Sequence, residues 1–71
     1  MEQFIVLLNL LKEFTENVYP DYDRETVLVE LPQQYYQDLL LKLEKINVDV
    51  IYKQVKKDNY LLVIGIYEDE D

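Results

Sequence analysis

The residues best suited to chemistry are the acids of Asp21-Tyr22-Asp23-Arg24-Glu25, whose carboxylates stand at alternate positions. Alternate carboxylates also open a calcium loop, in which the sixth position needs Gly for a sharp turn and the twelfth supplies a bidentate Glu. Here those positions hold Thr26 and Pro32, so the pattern stops short of a calcium site. The chain has no His, Cys or Ser. It therefore lacks the commonest general acid/base, any thiolate and the commonest hydroxyl nucleophile. Hydroxyls remain only on Thr15, Thr26 and the tyrosines, with no imidazole to activate them. No catalytic, metal or cofactor residue is assigned, and a noncatalytic protein is expected.

Binding is the chemistry left open. Of the seven tyrosines, Tyr36, Tyr52 and Tyr67 fall on apolar faces, whereas Tyr19, Tyr22 and Tyr35 keep company with Asp21, Asp23, Glu25 and Asp38. Tyrosine covers contact area at low entropic cost and carboxylates meet basic groups. Tyr19, Asp21, Tyr22, Asp23, Glu25, Tyr35 and Asp38 thus form the candidate surface for a basic protein partner. A plainer reading ascribes the tyrosines to coding bias, since Ile, Lys, Asn and Tyr are plentiful while Gly, Ala, Arg and Pro are scarce. That is the composition of an AT-rich genome, such as a viral one.

The net charge of -8 is unevenly distributed. Residues 42–57 carry five lysines against two acids, while the rest carries two bases against thirteen acids. Such an acidic remainder disfavours direct binding to nucleic acid or anionic lipid. Tyr52, Lys53, Lys56, Lys57 and Tyr60 could stack on and neutralise a nucleic-acid strand, but lysines on a hairpin also serve to keep a sheet edge from pairing.

The elements that must position these residues follow from hydrophobic spacing. From Glu2 to Val18, Phe4, Leu7, Leu8, Leu11, Phe14 and Val18 recur at helical intervals. Ile5, Val6 and Leu10 widen that apolar arc. Either the helix is deeply embedded, or these three face a second copy and form a dimer interface. Residues 18–23, with Pro20 and two Asp, read as a loop. Thr26 to Leu31 reads as a strand with Val27, Val29 and Leu31 on one face. Pro32 begins a second helix reaching about Ile46, with Asn47 as a left-handed cap. Val48 to Lys56 is a strand with Val48, Val50 and Tyr52 on one face, joined by the turn Lys57-Asp58-Asn59 to a last strand, Tyr60 to Tyr67.

That last strand is apolar at both parities, so it belongs in the middle of its sheet. The expected fold is α+β, in the order αβαββ: a three-stranded mixed sheet of spatial order 1-3-2, third strand central, packed with two amphipathic helices. Residues 1–67 form one small domain and 68–71 an acidic disordered tail. A domain of this size buries only about 60% of the surface its unfolded chain exposes, which favours a homodimer. No stretch is long enough to span a bilayer and no basic leader precedes Phe4 to Leu8, so a cytoplasmic location is expected. Two functions remain open. One is a small acidic binding protein that engages a basic partner, as an inhibitor or a mimic of nucleic acid. The other is a structural or assembly homodimer with no electrostatic partner.

Overall fold

The computed structural model describes residues 2–66; Tyr67 and the segment 68–71 lie outside the described residues. Helix α1 (Glu2–Lys12) leads to a four-stranded sheet interrupted by helix α2 (Tyr36–Leu43). The strands are β1 (Val18–Asp21), β2 (Thr26–Pro32), β3 (Val48–Val55) and β4 (Asn59–Ile66), in the order β1-β2-β4-β3. The class is α+β. The expected three-stranded mixed sheet is corrected on two counts: it has four strands, and every hydrogen-bonded pair is antiparallel.

The extra strand comes out of what reads as the end of the first helix. That helix stops at Lys12 because the following segment is drawn onto β2. The Thr15 hydroxyl donates to the Glu30 carbonyl at 2.8 Å, and the Glu30 amide donates to the Asn17 carbonyl at 3.1 Å. Val18 then pairs with Val29 and Asp21 with Thr26, so residues read as a loop become an edge strand. Pro20 is tolerated there because an edge strand has one side free of ladder bonds.

Strand β4 pairs along its length with β2 and β3. Val27, Val29 and Leu31 of β2 stand opposite Ile64, Leu62 and Tyr60 of β4, and therefore share one face. Both helices cover that face: Phe4, Leu7, Leu8 and Leu11 from α1 and Leu39 and Leu43 from α2 join it in a single core. No polar or charged side chain is buried among the described residues. A bulge between Val50 and Tyr52 reverses the alternation of β3, so that Tyr52 falls opposite Val63 and Lys53 opposite Leu62. The expected common face of Val48, Val50 and Tyr52 is thereby corrected. Lys53 turns to the helix side, its ammonium 4.9 Å from the ring centre of Tyr36 and 5.0 Å from that of Tyr60.

Gly65 faces the bulge. Ile51 lies across it, with Cδ1 2.5 Å from where a Cβ would stand, so the glycine makes room for the side chain that the bulge re-aims. Helix α2 is entered through a 3-10 turn (Gln33–Tyr35) and left through another (Glu44–Ile46), ending at Asn47 in the left-handed conformation (φ 57°). The Gln3 amide donates to the Ile46 carbonyl, tying the start of α1 to that exit. At the opposite end, the Gln33 side chain donates to the Lys56 carbonyl at 3.0 Å and the Gln33 amide to the Asp58 carbonyl at 3.0 Å. The β3–β4 turn is thereby fixed to the β2–α2 junction.

The two faces of the sheet differ in cover, and their mutational costs should differ accordingly. Leu62→Ala is expected to lower unfolding stability by about 2–5 kcal/mol, enough to unfold a domain this small, because it empties a closed core position. Leu28→Ala, on the uncovered face, is expected to cost under about 1 kcal/mol. Urea titration followed by circular dichroism separates the two.

Candidate functional site

The β1–β2 hairpin gathers five of the seven candidate binding residues. Tyr19 stands on β1 opposite Leu28, and Asp21 closes the strand opposite Thr26. Tyr22, Asp23, Arg24 and Glu25 form the connection. Asp21 shapes it locally, its Oδ1 accepting from the Arg24 amide at 3.3 Å, which is the turn-forming habit of aspartate. The Tyr22 ring meets Phe4 of α1 edge to face, with centres 5.4 Å apart, so the tip is anchored to the core through one aromatic contact. Tyr22 nevertheless remains exposed, as do Asp21, Asp23 and Arg24.

Glu25 adopts φ 55°, in the left-handed region. Side chains other than Gly, Asn and Asp seldom occupy that region, because Cβ crowds the neighbouring carbonyl. A carboxylate is thus held at a position where Gly would fit with less strain.

Tyr35 and Asp38 are not part of this cluster. Both follow the far end of β2, seven residues from the hairpin tip, a separation of roughly 20 Å at the usual rise per strand residue. Tyr35 packs against Phe14 with ring centres 6.3 Å apart. Asp38 lines an open groove of about 500 Å³ between the segment that follows α1 and the helix α2, together with Glu13, Phe14, Leu41, Lys42 and Lys45. The groove mixes two carboxylates with two ammonium groups. Among the described residues, no three Asp or Glu side chains converge as a metal ion would require.

Comparison with known proteins gives no relative. No family model, curated protein or solved structure matches the chain. The reading of function therefore rests on the geometry.

The expected dimer strip on α1 is divided by the fold. Ile5 and Val6 are 50% and 46% exposed, whereas Leu10 packs partly buried against the core. A wider apolar surface lies on the sheet face opposite the helices. There Tyr19, Leu28, Val63 and Tyr52 stand in one row across all four strands, with Leu61 and Ile51 beside them. Leu28 is 38% and Tyr52 52% exposed, and both α1 and α2 pack on the other side. The sequence carried the signal in the two apolar parities of the last strand. It does not show that Tyr19 reaches the same row, because residues 18–23 have the composition of a loop. No helix among the described residues is long and apolar enough to cross a membrane.

The strained position at the tip gives a direct check. Glu25→Gly is expected to raise unfolding stability by roughly 0.5 kcal/mol, the relief of left-handed strain slightly exceeding the added freedom of the unfolded chain. Glu25→Val, β-branched at the same φ, is expected to lower it. Denaturant midpoints of both variants against the parent decide the matter.

Proposed function

We propose that this chain is a noncatalytic acidic binding protein, whose β1–β2 hairpin tip engages a basic protein. The supporting observation is the hairpin itself: Asp21, Asp23 and Glu25 are held within five residues at its tip, with Tyr22 braced on Phe4. A braced turn presents its charges with little further ordering on binding, which lowers the entropic cost of association. Tyr22 adds an amphipathic contact next to the carboxylates, a combination suited to lysine- and arginine-rich surfaces.

Closely spaced carboxylates on a narrow projection offer the same charge pattern to a basic groove as phosphates do. The partner surface implied is therefore one that also accepts a nucleic-acid backbone, which the chain would occupy as an inhibitor or mimic. Tyr35 and Asp38, at the other end of β2, belong to this contact only if the partner spans the long dimension of the molecule.

Charge at the tip is the testable element. The chain with Asp21→Asn, Asp23→Asn and Glu25→Gln is expected to bind its basic partner at least about tenfold more weakly, and the parent to lose affinity steeply as salt rises. The measurement is capture from the native host at low salt, followed by salt titration of the purified complex for both chains. Equal affinity of the neutralised chain at every salt concentration rejects the reading.

A further inference from the structure

We infer that Val50 to Val55 is a strand-addition segment on an open sheet edge, kept from pairing with the same segment of a second copy by Lys53, whose ammonium is held over Tyr36 and Tyr60. These residues lie away from the acidic hairpin tip, so the device is independent of the partner-binding reading.

The segment reads Val-Ile-Tyr-Lys-Gln-Val. Three β-branched residues and a tyrosine, with no Pro or Gly, suit it to a strand, and Lys53 is its one charge. Short stretches of this kind, high in strand propensity and low in net charge, are the ones that stack on copies of themselves.

The fold leaves this segment at an edge. Strand β3 ends the order β1-β2-β4-β3, and among the described residues it is bonded to β4 alone. Its outer side therefore carries a row of backbone groups that a further strand could bond. Ile51 to Val55 are all exposed, Ile51 by 62% and Val55 by 65%. The opposite edge is a poorer template, because β1 has four residues and includes Pro20.

Two features oppose addition at β3. The bulge between Val50 and Tyr52 breaks the regular row that an incoming strand would follow. It also turns Lys53 to the helix side, opposite Leu62, with its ammonium 4.9 Å from the ring centre of Tyr36 and 5.0 Å from that of Tyr60. Those rings stand edge to face with centres 4.7 Å apart. A strand laid along β3 would cross the exposed Lys53 and cut its ammonium off from water. A free lysine escapes by swinging its head outward on its stem, and attraction to two rings opposes that swing. Pairing then carries the cost of burying a charge. Lys56 and Lys57 stand beyond the segment, exposed in the turn beside Asp58, so the guard within the segment is Lys53.

The test incubates the full chain and its variants at about 100 µM, within the range where open strand edges associate. Sedimentation velocity and thioflavin fluorescence measure assembly, circular dichroism checks folding, and amide exchange shows whether the outward amides of β3 become protected. The parent is expected to stay unassembled, with those amides exchanging fast. Lys53→Val is expected to assemble, raising the assembled fraction at least about tenfold and protecting the same amides. Lys53→Met, which keeps an unbranched stem over the rings, gives the same reading should the valine variant not fold. Lys53→Arg, which keeps a cation on the rings, should behave as the parent. Lys12→Val on α1, an equal loss of charge away from the edge, should also behave as the parent. Assembly of the parent through β3, Lys53→Val and Lys53→Met no more assembled than the parent, failure of both to fold, or assembly of Lys53→Arg or Lys12→Val to the same extent would each overturn the inference.

Discussion

The pairing of β4 on both of its edges is the constraint from which the rest of this fold follows. Once Leu62 and Ile64 are committed to the helix side, their registers with β2 and β3 decide which side chains enter the core. Val27, Val29 and Leu31 must join them, and Val48 with them. The two helices have one apolar surface to cover, and both cover it. What remains is a second face, apolar along the same strand, with no element of the described chain left to cover it.

Much of this was legible in the sequence because hydrophobic period survives into structure wherever a segment has one clear solution. The span from Phe4 to Leu11 gave a helix, Thr26 to Leu31 a strand, and the stretch beginning at Tyr60 a strand apolar on both faces. Asn47 as a left-handed cap was also readable, since its short side chain tolerates that conformation. The errors have a common physical origin in non-local contacts. Phe14 and Val18 continue the helical spacing of α1, yet the hydrogen bonds that join Glu30, distant in sequence, to the Thr15 hydroxyl and the Asn17 carbonyl outweigh one more helical turn. The bulge in β3 is equally invisible to a period-two reading, because it depends on the absence of a side chain at Gly65 on the neighbouring strand.

The candidate site was legible in part for the same reason. Five of the seven residues singled out for binding lie close in sequence and are brought together by a short hairpin, so proximity along the chain served as proximity in space. Tyr35 and Asp38 share only composition with them, and the length of β2 separates them. The apolar strip on α1 follows from helical spacing, but the core takes Leu10 in part and leaves Ile5 and Val6 exposed. The broader apolar surface needed the four-strand register to assemble, since its row draws one residue from each strand.

Amide hydrogen exchange reports strand by strand on what β4 is bonded to. The amides of Leu61 to Ile64, paired on both sides, are expected to exchange only through global unfolding. Those of β1, and the outward-pointing amides of β3, should exchange orders of magnitude faster. Exchange in β4 as fast as in β1 would contradict a strand paired on both edges, and with it the assignment of a covered and an open face.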